Sequence, residues 1–119
     1  MKLALIGIVS LSLIASAGVW PAGAGSVPPP QTAAKTKEAR KLFKQKCAKC
    51  HGADGAGNTT YGQIVGATDL TDREWQQQVD DERILNSLTH GRGQMPAFDK
   101  KLTNEQLASL ALYVRSFKK

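Results

Sequence analysis

Five consecutive residues, Cys47-Ala48-Lys49-Cys50-His51, have types and spacing suited to a definite chemistry. The pattern C-x-x-C-H reads as a site of covalent c-type haem attachment. On one helical turn the two thiols lie close enough to form thioethers with the two vinyl groups of one macrocycle. The adjacent histidine can then turn its ring under the iron. Three other chemistries use the same side chains. A disulfide between Cys47 and Cys50 would close so small a loop that it would stabilise little. A thioredoxin-like dithiol needs a strand before it and a helix after it, whereas here a helical pattern comes first. A zinc site needs four ligands at finger-like spacing, and the only other histidine, His90, is remote.

A second iron ligand is found by elimination. Beyond the initiator the chain has a single methionine, Met95, within Gly91-Arg92-Gly93-Gln94-Met95-Pro96. A glycine-rich turn followed by proline makes a rigid non-helical loop that can present a thioether sulfur to the open face of the iron. Most methionines fill cores instead, but so polar a loop is a poor setting for that. His90 is the competing ligand; its place at the end of a helix suits a terminal cation or a polar cap. The expectation is therefore one haem c attached through Cys47 and Cys50, with His51 and Met95 on the metal. Such an iron has no vacant position for substrate and exchanges electrons, so no catalytic residue is assigned and the chain is not read as an enzyme. A methionine ligand also raises the reduction potential relative to harder donors.

The elements that must hold these residues read as helices. From Thr36 the apolar positions Ala39, Leu42, Phe43, Cys47 and Cys50 recur at helical spacing, which puts both cysteines on one buried face. Glycines 52, 55 and 57 with Asn58 end that helix in a loop. Thr71 and Glu74 form a candidate capping box for the next helix, and Asp80-Asp81 marks a break before the stripe Ile84, Leu85 and Leu88, which Gly91 stops. Thr103 to Gln106 repeats the capping pattern ahead of Leu107, Leu110, Ala111, Val114 and Phe117. No run alternates as a strand does, and no repeat is evident. The fold class is all-α.

The first 24 residues differ from the rest. Lys2, the apolar run from Leu3 to Ile14 and the small residues Ala22-Gly23-Ala24 make a secretory signal peptide, with an uncleaved membrane anchor as the alternative. Residues 25–35, which include GSVPPP, read as a flexible linker, and residues 36–119 as the folded domain. A domain of that size has a modest core, which a large apolar cofactor would complete. The 119-residue chain has a net charge of +6. Lys35, Lys37, Arg40, Lys41, Lys44, Lys46 and Lys49 all precede His51, opposed only by Glu38. Such a face steers acidic partners toward a reactive centre, or is simply a solvated helix surface. Nucleic acid is not an expected partner, because no aromatics interleave with the charge.

With CAKCH, GRGQMPAF and the terminal helices in order, the sequence closely resembles the class I cytochrome c family, small monohaem electron carriers, over roughly Thr36 to Phe117. The resemblance implies about four to five helices wrapped round one covalent haem, His51 as proximal and Met95 as distal ligand. It implies that Ala39 and Phe43 pack against Leu110 and Tyr113, and that Leu70 contacts the haem. Relatives often place a proline carbonyl against the proximal histidine ring; here Thr68 stands at the equivalent place, which leaves that acceptor open. Trp75 and Tyr61 are candidates for the haem propionates, with core packing the plainer role. The expected function is one-electron transfer between respiratory or other periplasmic redox partners with acidic docking surfaces, by an exported monomer that meets a membrane only if the N-terminal segment is retained. The haem-bearing subunit of a dehydrogenase complex is the second reading. A peroxide- or gas-binding enzyme would require Met95 to detach.

Overall fold

The computed structural model describes residues 30–119. The expected signal peptide and most of the expected linker lie outside the described residues. Six helices follow one another: α1 (Pro30–Lys46), α2 (Ala48–His51), α3 (Thr60–Val65), α4 (Arg73–Gln78), α5 (Asp81–His90) and α6 (Asn104–Arg115). Among the described residues there is no strand, only an isolated bridge between Arg92 and Met95. No helix among them is long and apolar enough to cross a membrane.

Helix α1 starts ahead of the expected Thr36. Proline suits a first helical position, where its missing N–H costs nothing and its φ is already helical, and the following Gln31, Ala33 and Ala34 favour helix. The stretch 30–35, read as linker from its prolines, is thus the first turn and a half of α1. The count exceeds the expected four to five because Cys47 interrupts the first helix as a turn. Its amide still bonds the Phe43 carbonyl at 2.9 Å, and its carbonyl accepts from Cys50 at 3.1 Å and His51 at 3.0 Å. α2 therefore follows α1 directly across that one turn.

The core lies where α1 crosses α6. Ala39 and Phe43 are each 1% exposed, as is Leu110, with Leu107 at 2%. Phe43, Tyr113 and Phe117 form a cluster of edge-to-face and tilted rings 5.0–5.4 Å between centroids. Each such buried large side chain stabilises by about 1.5–3 kcal/mol over exposure, so this crossing anchors the cysteine-bearing turn. α5 packs on α6 through Ile84 and Leu88, while Leu85, expected in the same stripe, is 37% exposed.

Caps fix where the helices begin. Thr103 and Gln106 make the expected capping box at α6. At α4 the cap is Asp72, whose carboxylate accepts from Trp75 N at 2.7 Å, one residue later than expected. Thr71 instead donates its hydroxyl to Asp69 at 2.7 Å. Asp80 caps α5 through Arg83 N at 2.7 Å.

Arg115, at the end of α6, ties three elements together. Its guanidinium donates to the carbonyls of Gln76 (2.7 Å) and Val79 (2.6 Å) and to Asp81 Oδ1 (2.6 Å). A cation on the last carbonyls of α4 is favourable because those carbonyls lack helical partners. Gln76, itself buried, donates to Leu70 O at 2.8 Å and Val114 O at 2.9 Å.

Candidate functional site

Several short segments converge on one cavity of about 460 Å³. The turn at Cys47 and helix α2 supply Cys47, Cys50 and His51. The end of α3 and the stretch after it supply Val65 to Thr68 and Leu70; α4 and α5 supply Trp75, Ile84 and Leu88; the loop after α5 supplies Arg92 to Pro96. The walls are mainly apolar, and the volume is within the range typical of cofactor sites.

The histidine is oriented by its neighbours. His51 Nδ1 donates to the Thr68 carbonyl at 3.0 Å. A carbonyl only accepts, so Nδ1 bears the proton and Nε2 is left as the unprotonated ring nitrogen, the form a metal requires. Burial also holds the imidazole pKa below its ordinary value, against a smaller upward push from the Thr68 bond. The acceptor left open by the missing proline is thus the Thr68 backbone, and any residue there has that carbonyl.

The loop bearing Thr68 is fastened back onto the cysteine segment. Thr59 Oγ1 accepts from Gly62 N at 2.8 Å, capping α3, and its hydroxyl hydrogen is shared between the carbonyls of Lys49 (2.7 Å) and Cys50 (3.1 Å). Gly62 packs so closely on the Cys50 carbonyl that no Cβ fits between them.

The methionine loop is equally fixed. Arg92 N donates to Met95 O at 3.0 Å and Met95 N to Arg92 O at 2.9 Å, closing a tight turn through Gly93 and Gln94. Gly91 enters the turn at φ +76, and a Cβ there would lie 2.6 Å from Met95 O. Glycine is required both for the left-handed backbone and for the close approach. Phe98 N then bonds Leu88 O at 3.0 Å, which returns the chain to the core.

Burial pushes the Cys47 thiol up to about 11, with a smaller contribution from Cys50. A redox-active dithiol needs a lowered thiol pKa, so the thioredoxin-like chemistry does not suit this pair. Cys47, Cys50, His51 and Met95 all line the cavity, and so do Leu70 and the half-buried Trp75. His90 is exposed and lies outside the lining. Tyr61 is also outside it, 45% exposed beneath the Lys49 ammonium, which sits 4.4 Å from its ring centroid. Three cationic side chains, Lys46, Arg83 and Arg92, stand in the wall, and the two arginines have no part in the expected site; Arg83 falls one residue before a stripe position, where sequence periodicity predicts solvent. Two thiols one turn apart, an oriented imidazole and a thioether around an apolar cavity fit a covalently held haem.

A family model described as "Cytochrome C oxidase, cbb3-type, subunit III" matches residues 34–114. The chain belongs to this family. It is a c-type cytochrome, with haem c bound covalently and electron transfer as its function. Over 85 residues the cytochrome is 34% identical to the cbb3-type cytochrome c oxidase subunit CcoP of Azospirillum brasilense, which covers 71% of this chain and 29% of that subunit. Over 76 residues it is 40% identical to cytochrome c6 of Leptolyngbya boryana, covering 62% of this chain and 82% of that protein. A solved structure, the KustC0563 c-type cytochrome, superposes with a TM-score of 0.65 at 41% identity and covers 68% of this chain and 98% of that one. This cytochrome thus spans under a third of the oxidase subunits it matches, while nearly all of the KustC0563 chain has a counterpart here. The helical class I cytochrome c fold expected from the motifs is the one found.

Proposed function

We propose that this cytochrome carries one electron at a time between redox partners in an exported compartment, on a haem held by Cys47 and Cys50 with His51 and Met95 as axial ligands. The observation that carries the reading is the convergence of these four side chains on one apolar cavity, with the His51 tautomer set by Thr68. When bound, haem supplies a reversible one-electron change at iron. The chain does the rest. Two thioethers would keep the group in place, the α1–α6 core and the Leu70, Ile84 and Leu88 wall exclude water, and the Arg92–Met95 turn keeps the sulfur at a fixed position. With both axial positions taken, no substrate site remains, which argues against an enzyme.

Residues 1–24 serve in this reading as an export signal, or as an anchor if retained. The basic, exposed face of α1, with Arg40, Lys41, Lys44 and Lys46, adjoins the cysteine turn and suits acidic docking surfaces, which would make association fast and salt-sensitive. Relatives named as cbb3-type oxidase subunits favour a second arrangement, in which this domain passes electrons within a permanent assembly rather than by diffusion.

Carbon monoxide added to the reduced protein at neutral pH tests the ligand set. Slow and weak binding is expected from an iron whose sixth position is held by Met95. Tight, rapid binding contradicts the carrier and favours a gas- or peroxide-handling centre.

A further inference from the structure

The cavity wall contains Lys46, Arg83 and Arg92 and no aspartate or glutamate. The ion pair among the described residues, Arg115 with Asp81, lies elsewhere. No carboxylate of the described residues is within salt-bridge distance of Arg83 or Arg92, and neither guanidinium makes a side-chain hydrogen bond among them. Both arginines are exposed, and two guanidiniums without a protein partner at the rim of an apolar space suit an anionic group on the solvent-facing edge of whatever fills it.

The two arginines share one wall. Arg83 and Ser87 stand one turn apart on α5, with Ser87 Oγ donating to Arg83 O at 3.0 Å. Gly91 N bonds Ser87 O at 2.9 Å, and Arg92 follows directly. Arginine presents a planar fork that matches a carboxylate bidentately, which the point charge of Lys46 does not.

We propose that Arg83 and Arg92 pair with the two carboxylates at the edge of the bound haem and so raise its midpoint potential. The inference rests on the haem reading above. An ionised carboxylate near iron favours the ferric state by Coulomb attraction, and a guanidinium beside it cancels that bias. Each arginine is thus a positioning and tuning residue, acting through the haem edge rather than on the iron.

The test is spectroelectrochemical titration of the haem-loaded Arg83→Gln and Arg92→Gln proteins against Arg73→Gln, which removes the same charge from an equally exposed position that does not line the cavity. Each cavity variant is expected to lower the reduced-to-oxidised ratio at fixed potential about tenfold, which for one electron is ~59 mV. Arg73→Gln should change it far less, and Arg83→Lys and Arg92→Lys should recover part of the loss. The weak far-red band of methionine-ligated ferric haem should survive in every variant. Equal small shifts in all three glutamine variants overturn the proposal as a mere surface-charge effect. Loss of the far-red band in Arg92→Gln overturns it for Arg92, since that residue would then act through the Met95 turn. A wild-type protein lacking the band would instead refute the His51 and Met95 ligand set.

Discussion

His51 Nδ1 and the Thr68 carbonyl, 17 residues apart in sequence, meet at 3.0 Å in the lining of the cavity. The contact depends on Thr59, whose hydroxyl caps α3 and binds the Lys49 and Cys50 carbonyls at once. Thr59→Val keeps the volume and removes these bonds. We expect a loss of about 1–2 kcal/mol in urea unfolding. Thr68→Val leaves the carbonyl in place and should leave both the spectrum and the potential nearly unchanged.

Gly91→Ala combines a left-handed backbone with a Cβ 2.6 Å from Met95 O and 2.9 Å from Ala97 N. The backbone alone costs ~1–2 kcal/mol, and relief of the contact must move the Met95 turn. Thermal unfolding of the haem-loaded protein should drop by several degrees. The far-red band should weaken in parallel, whereas Gly66→Ala, which meets nothing within 4 Å, should pay only the backbone strain and keep the band.

Arg115 and Asp81 separate a clamp from its decoration. Removing the guanidinium in Arg115→Leu leaves the Gln76 and Val79 carbonyls without their donor, and should cost about 2–3 kcal/mol. Asp81 is 71% exposed, and exposed ion pairs contribute about 0–1 kcal/mol. Asp81→Asn should therefore shift the urea midpoint little; equal effects of the two substitutions would mean that the ion pair to α5, not the carbonyl bonds at the end of α4, holds α6 in place.

Asp69 brings a pH dependence. The Thr71 hydroxyl, then the Thr71 amide, hold its carboxyl below the usual range. A depressed folded-state pKa contributes stability that is present above the unfolded value, about 3.9, and is lost as pH falls through the folded one. Thr71→Val removes the hydroxyl bond at constant shape. Its unfolding free energy should lie below wild type at pH 7, and the gap should close in strong acid; a gap that persists unchanged there would assign the effect to packing instead.

How far the sequence anticipated this structure follows from the range of each interaction. The cysteine–histidine motif, the Met95 loop and the Thr103–Gln106 cap are local, and residue types at fixed spacing define them. The Thr71 cap was misplaced by one position because threonine and aspartate both cap well, and only Asp69, two residues upstream, decides which is free to do so. The start of α1 was obscured by prolines that are as compatible with a first helical turn as with a linker. Arg83, Arg115 and the Thr68 carbonyl carry no local signal. Their roles arise from partners in other elements, or from a backbone atom that any residue would supply.

The optical spectrum of the purified protein, oxidised and reduced, beside that of Met95→Ala tests the haem site and its ligands at once. The wild-type protein should give a c-type haem spectrum with the weak far-red band of a methionine sulfur on ferric iron, and Met95→Ala should lose that band. A haem spectrum without the band in the wild-type protein would contradict Met95 as ligand, and a protein with no haem bound would contradict the site altogether.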